Sequence, residues 1–69
     1  MQFQIPSESI RIREQLFPYL REHYDCKIIN SAEDIELNRT LVFSAPFDNY
    51  LQQAIKKHRI NFFYIDNGY

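Results

Sequence analysis

The sequence predicts a small α/β domain: a four-stranded sheet with two helices, ordered βαββαβ. Three observations carry this. Short segments rich in Ile, Val, Phe and Tyr, bounded by Pro, Asn and Ser, read as strands. Two longer stretches between them repeat their apolar residues at helical spacing. At 69 residues and 45% hydrophobic, with no Pro/Gly/Ser-rich linker or internal repeat, residues 1–69 support one domain and one core.

Gln2 to Ile5 alternates polar and apolar residues and meets Pro6, which cannot continue a ladder, so a first strand is expected there. Ser7 is a candidate N-cap, with Glu8 at the positive end of the helix dipole. From Glu8 to about Tyr24, Ile10, Phe17, Leu20 and Tyr24 share one helical face, widened by Ile12, Leu16 and Tyr19. Pro18 interrupts this face and predicts a kink or a break near Phe17.

Cys26 to Asn30 reads as a second strand and Thr40 to Ala45 as a third. Ser31 to Arg39 between them fits either a single capped turn or a backward extension of the third strand into a hairpin, since Ile35, Leu37, Leu41 and Phe43 share one parity. After Pro46, Phe47, Leu51, Ala54, Ile55 and His58 form one face of a second helix, with Gln52, Gln53, Lys56 and Lys57 away from it. The turn that follows has no glycine, and Asn61 is expected to take its left-handed conformation in preference to Arg59. Asn61 to Asp66 closes the fold as a fourth strand before the turn signal Asn67-Gly68.

A ferredoxin-like βαββαβ sandwich, both helices on one face, is the first choice, because nine residues between the second and third strands are short for a parallel crossover. A small, mostly parallel sheet of flavodoxin-like order is the alternative. With helices on one face only, the other face keeps Ile, Phe or Tyr on neighbouring strands, an apolar patch that a second copy, another protein or the rest of a longer polypeptide would cover. Alternation is expected to make at least one of Phe62 and Phe63 core.

Function classes narrow by composition. The single glycine, Gly68, excludes a P-loop or dinucleotide fingerprint. A net charge of −1 gives neither a basic nor an acidic excess, and the halves differ little, −2 for residues 1–34 and +1 for 35–69. The lone Cys26 allows no internal disulfide. No apolar run approaches the roughly 20 residues of a membrane span, so a cytoplasmic protein without a membrane partner is expected.

Candidate chemistry is sparse. His23 and Cys26 have a spacing that suits a metal or an activated thiol, but only His58 and carboxylates remain to complete a set. Glu33, Asp34 and Glu36 crowd one loop and diverge in direction. Lys56, Lys57, His58 and Arg59 form a candidate anion-binding cluster, alongside their simpler role at the negative end of a helix dipole. In a parallel sheet, Ser7, Asn30, Ser31, Ser44, Asp66 and Asn67 would gather at the carboxyl ends of the strands, where α/β domains bind ligands.

No catalytic set emerges, and no metal or cofactor is implied. The leading expectation is a non-catalytic protein-interaction module, a small regulator, inhibitor or subunit that binds another protein or a second copy of itself through Phe43, Phe62, Phe63 and Tyr64. The alternative is the N-terminal α/β portion of a larger enzyme or ligand-binding protein. A weak nucleic-acid binder comes third, because lysine and glycine do not surround the aromatics as they do in sheet-based RNA readers.

Overall fold

The computed structural model describes residues 1–44 and 49–65. Its elements are β1 (Gln2–Pro6), a π-helical turn (Ile12–Leu16), α1 (Phe17–His23), β2 (Asp25–Ile29), a 3-10 turn (Ala32–Asp34), β3 (Thr40–Phe43), α2 (Asn49–His58) and β4 (Phe62–Tyr64). The four strands form one sheet in the order β2-β1-β3-β4, and every pair is parallel. The α/β class and the four-stranded sheet with two helices stand. The antiparallel, ferredoxin-like pairing does not.

Strand length explains the difference. Strands of four or five residues are about 13–17 Å long, and β2 and β3 lie two strand spacings, about 10 Å, apart. The carboxyl end of β2 is thus about 20 Å from the start of β3, well within the roughly 33 Å that ten extended residues can reach. Residues 30–39 make this crossing with only the 3-10 turn in it. The minimum length usual for a crossover is set by longer strands and a covering helix.

Gln4 fastens the crossover. It is fully buried, and its amide donates to the carbonyls of Glu36 and Arg39 (2.8 and 3.0 Å) while its oxygen accepts from the Glu36 N–H (2.9 Å). Alternation then sorts the side chains of the sheet. Phe3, Ile5 and Val42 pack with Ile12, Leu16, Phe17 and Leu20 on one face. Ile29, Leu41 and Phe43 pack with Leu51, Ala54, Ile55 and Ile60 on the other. The two helices therefore cover opposite faces, not one, as follows when the chain crosses from β1 leftward to β2 and then rightward to β3 with constant handedness.

At Pro18 the helix is broken into two segments that meet at Phe17, one of the two outcomes the sequence predicts. The Phe17 N–H reaches back to the Ile12 carbonyl, closing a π turn, and α1 then starts afresh with Pro18 in its first turn, where no N–H is needed. The extra residue rotates the register, so Ile12 is buried while Ile10, Tyr19 and Tyr24 are exposed. Ser7 does not cap this helix. Its N–H bonds the Ile29 carbonyl, and the first helical bond runs from the Arg13 N–H to the Ser9 carbonyl. No helix among the described residues is long and apolar enough to cross a membrane.

Candidate functional site

The outermost strand and the helix that leads into it make the most distinctive surface. α2 ends at His58, and Arg59 adopts the left-handed conformation (φ 52°) that turns the chain toward β4, where Asn61 was expected to do so. Ile60, buried beneath α2, anchors the turn, and the Leu41 N–H bonds the Asn61 carbonyl at 2.9 Å to set the register. Phe62, Phe63 and Tyr64 then pair with Leu41, Val42 and Phe43.

Sequence reasoning named Phe43, Phe62, Phe63 and Tyr64 together, and the structure divides them. Phe43 is buried at 3% exposure and forms the base of a small aromatic group, its ring 5.9 Å from that of Phe62 and 5.5 Å from that of Tyr64. Phe63 belongs to the opposite face, beside Val42. Contrary to the expectation that one of the pair is core, Phe62 and Phe63 are 48% and 56% exposed, and Tyr64 is 46% exposed. For Phe63 the cause is position: the π turn and α1 pack on β1, β2 and Val42, and among the described residues no helix lies over the Phe63 side of β4.

On the other side, Phe43, Phe62 and Tyr64 join Gln52, Ile55 and Lys56 of α2 around an open apolar groove of about 330 Å³. Sequence periodicity places Gln52 and Lys56 away from the core face of α2, yet both exposed side chains line the groove. Their long side chains can border an apolar surface while their polar ends stay in water. Lys56, Lys57, His58 and Arg59 are all exposed, and among the described residues none of them forms an ion pair.

Arg39, Lys27 and several carboxylates are engaged elsewhere. Arg39 donates to both carboxylate oxygens of Asp25 (3.1 Å each) and to Glu36 (2.6 Å), and Lys27 lies 3.1 Å from Glu36. The Arg39 hydrogen bond holds the Asp25 carboxyl below its ordinary range. Lys27, and after it Arg39, does the same for Glu36. Arg39 in turn is pushed up, chiefly by Asp25. Asp34 accepts from the Asn30 N–H and Glu33 from the Ser31 hydroxyl, so the acidic loop is tied into turn structure.

The His23 ring lies tilted against Tyr19 (4.8 Å) and edge-on to Tyr24 (6.4 Å), and Cys26 packs under α1, where burial pushes its thiol up and away from thiolate character. Among the described residues, no three His, Cys, Asp or Glu side chains gather as a metal site would require.

The parallel sheet does bring Ser7, Asn30, Ser31 and Ser44 to its carboxyl edge; Asp66 and Asn67 lie outside the described residues. There the Ser44 N–H donates to the Ser9 hydroxyl (3.1 Å), which donates in turn to the Ser44 carbonyl (3.4 Å), both residues being buried. The Tyr50 hydroxyl donates to Glu8 and joins α2 to the β1 turn. Ser9 and Tyr50 carry no motif, and only the three-dimensional pairing marks them. Against protein-family models, curated proteins and solved structures, the chain finds no match.

Proposed function

We propose that this chain is a non-catalytic protein-interaction module that docks its partner on β4. The observation that carries the reading is the half-exposed aromatic run Phe62, Phe63 and Tyr64 on the outermost strand, backed by Phe43 and bordered by an apolar groove. Edge strands of soluble proteins are ordinarily blunted by charge, proline or a covering element, and β4 carries no charged residue or proline. A partner that covers it removes about 100 Å² of ring surface from water per aromatic, or roughly 2–3 kcal/mol each at the usual coefficient.

The test is co-purification of the tagged chain from its native cell with mass measurement of the intact assembly, for the wild type and for Phe63→Lys. The wild type is expected to travel with a stoichiometric polypeptide, a second copy included, and the variant to travel alone while keeping its circular dichroism. A dilute wild-type chain that stays monomeric and binds no hydrophobic dye would remove the basis of the proposal.

One observation favours a second reading, the α/β portion of a ligand-binding protein of flavodoxin-like order. In a parallel β2-β1-β3-β4 sheet the connections depart in opposite directions between β1 and β3, and ligands of open α/β sheets lie outside the carboxyl ends at that position. Amide shifts confined to Ser7, Ser9 and Ser44 during a small-molecule screen would support it. Shifts confined to β4 and α2 would count against it.

A further inference from the structure

Two groups that look unrelated in the sequence, the basic end of α2 and the aromatics of β4, meet at Lys56, which lines the groove with Phe43, Phe62 and Tyr64. Resting on the docking reading above, we propose that the docked segment is an extended acidic peptide. One large apolar side chain sits in the groove, and neighbouring Asp or Glu residues face Lys56, Lys57 and Arg59.

Size, charge and the state of the other cations support this. A volume of about 330 Å³ is at the lower limit of ligand sites, which run from about 300 to 1,000 Å³, and suits a single aromatic or leucine-sized anchor. Lys27 and Arg39 are held by carboxylates, whereas Lys56, Lys57, His58 and Arg59 have no anionic partner among the described residues. The helix dipole accounts for only part of that cluster, because its negative end is equivalent to about half a charge, against the full charges of Lys56, Lys57 and Arg59. This positive charge, unpaired among the described residues, borders an apolar slot, so the complementary segment is apolar at one position and acidic beside it.

A single-stranded nucleic acid fits less well. The cations converge on one helix end and do not follow a strand, the net charge is −1, and the buried ring of Phe43 has no face open for base stacking.

The experiment selects a random 12-residue phage-displayed peptide library on the immobilised 69-residue chain. The enriched sequences are then measured as labelled peptides by fluorescence anisotropy, beside a 12-nucleotide oligouridine and free phenylacetate. Enriched peptides are expected to carry Asp or Glu within three positions of Phe, Trp, Tyr or Leu. Lys56→Glu, Phe62→Ser and Asp-to-Asn peptides should each weaken binding by about tenfold or more. Both protein substitutions fall on exposed side chains, and circular dichroism checks that the fold persists.

Neutral or basic peptides that still require Phe62 overturn the acidic inference and leave the docking reading intact. No enrichment overturns the inference, and with a monomeric, dye-silent chain it removes the docking reading as well. Oligouridine that binds more tightly than any peptide reassigns the surface to nucleic acid. Phenylacetate that binds as tightly as the peptides reassigns it to small carboxylates. Either result overturns the proposal.

Discussion

Replacing Gln4 by leucine isolates what holds the helix-free crossover in place. The two side chains are similar in volume, so packing against the sheet is largely preserved, but three hydrogen bonds disappear. Each contributes about 0.5–1.5 kcal/mol net, and the Glu36 N–H and the Glu36 and Arg39 carbonyls would be left facing an apolar side chain. The buried leucine recovers about 1 kcal/mol of transfer free energy, for a net loss of about 2–3 kcal/mol. A domain of this size has about 3–10 kcal/mol in total, so the effect is large. The chain has no tryptophan and five tyrosines, which makes circular dichroism the natural probe of urea unfolding. With a slope near 1 kcal/mol per molar, the midpoint should fall by about 2–3 M. Gln2→Leu, at the exposed start of the same strand, should stay within about 0.5 kcal/mol of wild type. Were Gln4→Leu equally silent, the crossover would be held by its own turns and not by the amide.

Arg59→Gly should raise stability by about 0.5–1 kcal/mol, because glycine takes φ 52° without the steric penalty of a Cβ and gives back part of the gain in unfolded-state entropy; Arg59→Val should lower it. Pro18→Ala should leave the unfolding midpoint nearly unchanged, since the first turn of α1 does not use that N–H; a marked stabilisation would show that the π turn is strained. The carboxyls of Asp25 and Glu36 lie below their ordinary values of 3.8 and 4.5 in the folded chain, so their contribution is complete above about pH 5 and lost as the pH falls through and below those values. Acid titration of stability should therefore show a decline that Arg39→Met makes shallower, most of all for Asp25.

The elements were legible because each follows a local rule. Alternation ended by Pro6 marks β1, and the spacing of Leu51, Ala54 and Ile55 marks α2. Strand direction was not, because it depends on a distance in space. A short crossover forbids parallel pairing between long strands and permits it between strands of four or five residues, and Gln4, which reads as a solvent-facing alternation, is the residue that completes the crossing. Within the candidate site, Phe62, Phe63 and Tyr64 were visible as an aromatic run, but their division between two faces awaited the register against Leu41, Val42 and Phe43. The turn residue was misread because the preference of Asn for positive φ is a statistical bias, and the length of α2 puts Arg59 at the position after its last turn.

The strand order also sets a gradient of local opening across the sheet. β1 lies between β2 and β3, and separating it requires breaking ladders on both sides, so its amides should exchange with solvent only through global unfolding. β4 has three residues and one strand neighbour among those described, and can detach at far lower free energy. A partner docking there binds only molecules in which β4 is closed, and its affinity is reduced by whatever fraction is open at that moment. Slowed exchange at Phe62, Phe63 and Tyr64 on complex formation, with β1 unchanged, would record that coupling directly.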